Sequence, residues 1–305
     1  MYKVHCLNNI SPEGLALLTD QYEIVDDIEQ ADAVLVRSAN MHEMAIPANL
    51  KVVARAGAGV NNIPLEAMAE AGIPVLNTPG ANANAVKELV LAGMLLASRD
   101  IVGGIAWCRD NADDENIGKS AEKAKKQFAG REITGKTLGV IGLGAIGKLV
   151  VAAAEALGMK VIGYDPFLDA ERAAAISPTM TFTADLADLY GASDFVTIHV
   201  PATADTKGMV DADAIAQMKD GVVFLNFSRD SLVDDAAMAA GLADGKVGCY
   251  VTDFANPAVM AMENAIVIPH LGASTAEAED NCAIMAVNQI MDYLENGNKV
   301  HCVNM

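Results

Sequence analysis

Gly142, Gly144 and Gly147 stand in the run Gly139-Val140-Ile141-Gly142-Leu143-Gly144-Ala145-Ile146-Gly147, and an acidic side chain, Asp165, closes the next apolar stretch. Those residue types at that spacing suit a pyrophosphate. The first glycine permits a tight turn, the second lets backbone approach phosphate oxygens, and the third lets a helix pack on the preceding strand. The helix start then offers amide donors and the positive end of a dipole. The surroundings match: Leu138 to Ile141 reads as a strand, Lys148 to Leu157 as a helix and Lys160 to Tyr164 as a second strand. Asp165 is placed to accept hydrogen bonds from a ribose diol and to repel a 2′-phosphate, which favours NAD over NADP.

Ligands of an open parallel sheet bind at the carboxyl ends of its strands, so the residues that follow each later strand carry functional weight. They are His199, the pair Ser228-Arg229, Asp253 and His270. A hydroxyl that gives up a hydride from its carbon must also lose its proton, which calls for a base that titrates near neutrality. Histidine is that base, and His270 is the better placed of the two. Arg229 is suited to grip a carboxylate through two hydrogen bonds and to polarise a carbonyl.

The elements that position these groups follow from short apolar runs separated by helical stretches. Tyr2 to Leu7, Glu23 to Val25, Ala33 to Arg37, Lys51 to Ala56 and Pro74 to Asn77 read as strands of a first α/β domain. A helical pattern from about Asn84 to Arg109, weakened at Gly103-Gly104, leads to the glycine motif. Beyond Asp165 the second sheet continues through Phe195 to Val200, Val222 to Phe227, Gly248 to Thr252 and Ala265 to Ile268. A last helix, from about Thr275 to Glu295, opens with Ser274 and Glu277 at capping-box spacing, and its tail is expected to return to the first domain. The fold expected is α/β with two doubly wound parallel-sheet domains: residues 1–96 with 285–305, and residues 97–284.

The 305 residues carry a formal charge of -19, which disfavours nucleic acid and anionic membrane as partners. Five scattered cysteines show no zinc spacing, so no metal site is expected; they read as reduced, mostly buried thiols. No signal peptide or membrane-spanning run is evident, and a cytoplasmic location follows by default. Lys119, Lys123, Lys125, Lys126, Arg131 and Lys136 form a basic run that is expected to offset the global charge for an anionic substrate, with Lys125 and Lys126 as candidate contacts.

Four segments together resemble the D-2-hydroxyacid dehydrogenase family: Gly135 to Gly144, His199-Val200-Pro201, Asn226-Phe227-Ser228-Arg229, and Pro269-His270-Leu271-Gly272-Ala273-Ser274-Thr275. Val36 to Ala39, Arg55 to Ile63 and Asn77 to Gly80 extend the resemblance over nearly the whole chain. It implies a flavodoxin-like substrate domain, a Rossmann NAD domain, and a homodimer or homotetramer. By position it implies Arg229 on the substrate carboxylate and His270 as acid/base. Ala145 and Ile146 would lie along the pyrophosphate and Asp253 near the nicotinamide carboxamide, with His199, Val200, Pro201, Phe227, Ser228, Gly272 and Ala273 around the cofactor. Arg37, Arg55 and Asn77 would face a small anionic hydroxyacid. The first-domain segments are most similar to the branch acting on 3-phosphoglycerate; glyoxylate or hydroxypyruvate reduction, or NAD(H) sensing without catalysis, are the alternatives. Members of the family often carry a C-terminal regulatory domain after the final Val-Asn segment; this sequence ends at Val303-Asn304-Met305, so feedback by serine through such a domain is not expected.

Two departures stand out. The family pattern D-V-F-x-x-E-P supplies a glutamate to the histidine, but here Thr252-Asp253-Phe254-Ala255-Asn256-Pro257 places Asn256 or, with the gap elsewhere, Pro257 at that position; Asn256 could still hydrogen-bond the imidazole, and Glu263 is a candidate substitute carboxylate. Asp230 follows Arg229 where the family commonly has glycine.

Overall fold

Apolar runs bounded by glycine and proline turns become two all-parallel sheets in the computed structural model, which describes residues 1–305. The first contains β1 (Tyr2–Cys6), β2 (Tyr22–Ile24), β3 (Ala33–Val36), β4 (Val52–Arg55) and β5 (Val75–Leu76), ordered β2-β1-β3-β4-β5. The second contains β6 (Thr137–Ile141), β7 (Lys160–Tyr164), β8 (Thr181–Thr183), β9 (Phe195–Ile198), β10 (Val222–Asn226), β11 (Val247–Thr252) and β12 (Ala265–Val267), ordered β12-β11-β10-β9-β6-β7-β8. The strand order reverses between β6 and β9, which is where a doubly wound sheet opens a ligand crevice. Central strands β3 and β9 are buried throughout, as expected of parallel strands covered on both faces.

The chain divides into Met1–Ala85 with Ala273–Met305, and Val86–Gly272. Both divisions fall earlier than the sequence suggested, and packing explains why. Val86, Val90 and Met94 of the helix Ala83–Ser98 pack with Leu138, Leu225 and Val251 of the second core. Cys282, Ala283, Ala286, Val287 and Ile290 of the helix Ala276–Asn296 pack with Val4, Leu35 and Ala54 of the first. The tail does return to the first sheet: Val303 N–H donates to Val75 O at 2.9 Å.

Other expectations are corrected. The pattern from Asn84 to Arg109 is two helices, Ala83–Ser98 and Ile101–Asp110, which meet at a 67° bend. The break lies at Arg99-Asp100 rather than at the glycine pair. Asp100 caps the second helix by accepting the Gly103 N–H at 2.8 Å, and a Cβ at Gly103 would sit 2.2 Å from that carboxylate. The last helix is capped by Thr275, which accepts the Ala278 N–H at 3.1 Å, and not by Ser274. Strand β8, a three-residue edge strand, has no counterpart among the expected strands. Of the five free cysteines only Cys282 is buried. No single helix is long and apolar enough to cross a membrane.

Candidate active site

The glycine turn joins β6 to the helix Ala145–Ala156. Gly142 has φ 90°, a left-handed conformation that favours glycine, and a Cβ there would lie 2.6 Å from the carbonyl oxygen of His199. A Cβ on Gly147 would lie 1.9 Å from Gly142 O, so the third glycine is what lets the helix close onto the turn. A Cβ on Gly144 would meet nothing within 4 Å; its face is open to an incoming group. No side chain caps the N-terminus of this helix at Gly144, which leaves the first-turn amides of Ala145 and Ile146 available to phosphate oxygens. Asp165, half-buried at the end of β7, accepts the Leu143 N–H at 2.9 Å and the Phe167 N–H at 3.0 Å, so its carboxylate is locked beside the turn. These residues fit NAD: amides for the pyrophosphate and a fixed carboxylate for the ribose diol. Asp165→Asn is expected to narrow the preference for NAD over NADP by about tenfold, roughly 1.4 kcal/mol. The ratio of the two dissociation constants, measured by calorimetry, checks this; an unchanged ratio would count against Asp165 as the discriminator.

After β9, the His199 imidazole places Nε2 3.0 Å from Thr197 Oγ1, while Nδ1 is buried without a partner. Desolvation pulls this histidine down to about 3, so it stays neutral at ordinary pH and is unsuited to carry a proton in turnover. Val200 packs against the second sheet's core and over Gly142, and Pro201 O accepts the Thr206 hydroxyl at 2.6 Å. After β10, Ser228 Oγ donates to Ile198 O at 2.7 Å, which ties two strand ends together. Phe227 is 5% exposed and its ring packs into the core, 3.1 Å from where a Gly93 Cβ would be. Asn226 Nδ2 donates to Arg229 O at 2.8 Å and fixes the backbone that carries the half-buried arginine.

After β11 and β12 lie Asp253 and His270. Asp253 is 1% exposed; its Oδ2 accepts the Gly272 N–H at 2.8 Å, and its Oδ1 has no partner. Burial pushes this carboxyl up, while the Gly272 amide and the charges of His270 and Arg229 pull it back. Three groups at the ends of three adjacent strands, β10, β11 and β12, thus sit within electrostatic reach of one another. His270 is exposed, has φ 44°, and meets the Phe254 ring edge-on at 5.2 Å. Asn256 is not its partner. Asn256 caps the helix Pro257–Met260 by accepting the Val259 N–H at 2.9 Å, and its amide donates to Asp235 at 2.9 Å. Glu263 is exposed and precedes β12, at the amino end of the strand whose carboxyl end leads to His270.

In the first unit, Arg37 follows β3 and Arg55 ends the adjacent β4. Arg37 pairs with Glu279 at 2.7 Å, and Arg55 Nε donates to Arg37 O at 3.1 Å. A Cβ on Gly57 would fall 1.7 Å from the Arg55 guanidinium, so glycine there makes room for it. Asn77 Nδ2 donates to Ala58 O at 2.6 Å, and Gln289 Nε2 donates to Asn77 O at 3.0 Å. Sequence reasoning missed Gln289, which lies 212 positions away, and Asn8, whose Oδ1 accepts the N–H groups of Arg37, Ser38 and Ala39 at 2.9 to 3.0 Å. An asparagine just after the first strand was the available signal for Asn8. The basic run does not form one site. Exposed Lys125 pairs with Glu122, and exposed Lys126 shares its short 3₁₀ turn, which ends at Phe128 near Gly104. Arg131 and Lys136 line a cavity of about 310 Å³ at the amino edge of the second sheet, opposite the glycine turn.

The model of the D-isomer specific 2-hydroxyacid dehydrogenase NAD binding domain matches residues 91–272. A D-3-phosphoglycerate dehydrogenase of Synechocystis sp. is 37% identical over 281 residues, covering 89% of this chain and 48% of its own length. The chain thus spans about half the length of that relative. A hydroxypyruvate reductase of Thermotoga maritima is 36% identical over 317 residues, covering 96% of this chain and 98% of its own. Among solved structures, an NAD⁺-bound 3-phosphoglycerate dehydrogenase of Entamoeba histolytica superposes with a TM-score of 0.80 at 27% identity, covering 100% of this chain and 99% of its own. The glycine turn, the locked Asp165 and the strand-end Arg229, Asp253 and His270 all fall within the matched domain, and the chain belongs to the D-isomer specific 2-hydroxyacid dehydrogenase family.

Proposed function

We propose that this chain catalyses the NAD-dependent oxidation of 3-phospho-D-glycerate to 3-phosphohydroxypyruvate. The observation that carries the reaction class is the grouping of Arg229 and His270 around Asp253 at the ends of β10, β12 and β11, on the sheet that also bears the glycine turn. NAD, held by the Ala145 and Ile146 amides and by Asp165, would supply the acceptor for the hydride of the hydroxyl-bearing carbon. Arg229 holds the substrate carboxylate through two guanidinium N–H groups and polarises the reacting C–O bond. His270 takes the hydroxyl proton onto its imidazole and returns it in the reverse direction. His199, made weakly basic by its burial, is a poor acceptor for that proton.

The phosphorylated substrate is supported by the names of the relatives at 36–39% identity and by two arginines, Arg37 and Arg55, at the carboxyl ends of adjacent strands of the first sheet. Hydroxypyruvate reduction is the second reading, favoured by the Thermotoga maritima relative at 36% identity. The proposal includes a homo-oligomer, supported by the exposed Ile101, Val102 and Ile105 on the helix Ile101–Asp110. Initial rates across phosphorylated and unphosphorylated 2-hydroxyacids separate the substrates. A higher kcat/KM for 3-phosphoglycerate than for glycerate is expected; a preference for unphosphorylated substrates would replace the first reading with the second.

A further inference from the structure

Arg37, just after β3, has its backbone fixed on both sides. Asn8 Oδ1 accepts the N–H groups of Arg37, Ser38 and Ala39 at 2.9 to 3.0 Å, and the Arg37 carbonyl accepts the Arg55 Nε–H at 3.1 Å. The side chain takes Glu279 as its partner: Arg37 Nη2 lies 2.7 Å from Glu279 Oε1, and the two side chains are 40% and 41% exposed, so solutes reach the pair. Glu279 stands in the first turn of the helix Ala276–Asn296, beside Asp280. Acidic residues there answer the helix dipole, but these two are used differently. Asp280 accepts the Ser11 hydroxyl at 2.5 Å, whereas Glu279 faces a guanidinium at the carboxyl end of the first sheet.

An exposed ion pair adds little to stability, and the helix is docked without this one. Cys282, Ala283, Ala286, Val287 and Ile290 are buried in the first core, and the Asp280–Ser11 bond fastens the helix start. The pair has a larger consequence for binding. A guanidinium fork suits a carboxylate and a phosphate alike, so a phosphate arriving at Arg37 must displace the Glu279 carboxylate or lie against its negative charge. Either lowers affinity for the phosphate, and neither acts on an uncharged hydroxymethyl group. We propose that Glu279 is a specificity-determining residue: its carboxylate competes with a substrate phosphate for the Arg37 guanidinium and so holds down the selectivity for phosphorylated over unphosphorylated hydroxyacids. This rests on the reading of Arg37 as a group that faces the substrate. The net preference is then the balance of Arg37 and Arg55 against one built-in anion.

Charge fixes the direction of the effect. In Glu279→Gln, an exposed change to another good helix former that keeps the fold, the ratio of kcat/KM for 3-phosphoglycerate to that for glycerate is expected to rise about tenfold. The calorimetric affinities for the two acids, measured with NADH present so that neither is oxidised, should diverge by the same factor. Asp280→Asn removes one charge from the same helix turn without touching the guanidinium, and should leave the ratio within about twofold. Glu279→Gln placed in an Arg37→Gln background should change it no more than that. An unchanged or lowered ratio in Glu279→Gln, an equal rise in Asp280→Asn, or a rise that survives the loss of Arg37 would overturn the proposal. A wild-type preference for glycerate, with the ratio still rising in Glu279→Gln, would remove the phosphoglycerate reading and leave Glu279 its role. A wild-type preference for 3-phosphoglycerate with an unmoved ratio would remove only the role of Glu279.

Discussion

His270→Gln is expected to lower kcat by about a thousandfold, within the range that positioned acid/base groups contribute, while the affinity for NAD stays within about twofold. The size of the loss follows from the lack of a substitute. His199 is held near a midpoint of 3 by desolvation, and Asp253 is a buried carboxylate already engaged with Gly272. The exposed position of His270 makes the substitution mild for folding. Steady-state kinetics together with calorimetric NAD binding check the result. A kcat within tenfold of wild type would show that the proton leaves by another route.

Arg229→Gln is expected to lower kcat/KM by roughly 10² to 10⁴-fold. Two charge-assisted hydrogen bonds to a carboxylate are lost, each worth about 1.5–3 kcal/mol, and the surviving amide cannot present the same planar fork. Arg229→Lys should recover little, because an ammonium restores charge without the bidentate geometry. The backbone of Arg229 is held independently by Asn226, so both variants should fold. Full recovery by lysine would mean that charge alone, and not a two-point clamp, is what the site uses.

Much of this machinery was visible in the residues. The three glycines announced the turn: the contacts a Cβ would make at Gly142 and Gly147 give two of them a steric reason to lack a side chain, and Gly144 leaves its face open to an incoming group. Asp165 was legible because it ends an apolar strand beside that turn. Strand ends were legible because a covered parallel strand must be apolar throughout, so the first polar residue marks its exit. What stayed hidden depended on partners far along the chain or on competition between neighbours. Asn256 looked available to His270, yet Asp235 and the Val259 amide claim it. Arg37 and the Asn77 turn depend on Asn8, Glu279 and Gln289, which sequence spacing could not connect. The helix break at Asp100 was masked by the more conspicuous Gly103-Gly104, one of which turns out to serve the cap. The basic run from Lys119 to Lys136 looked like one feature because charge is easily read, but Lys136 and Arg131 lie at the wrong sheet edge for the glycine turn.

In the proposed reaction the chain moves a hydride from the hydroxyl-bearing carbon of a 2-hydroxyacid to NAD. The chain is incubated with NAD and 3-phosphoglycerate deuterated at carbon 2, and the label in the reduced nicotinamide is determined by mass spectrometry. One deuterium is expected intact in the reduced cofactor, with none exchanged into water. Formation of no reduced cofactor from any 2-hydroxyacid, or loss of the label to solvent, would contradict it.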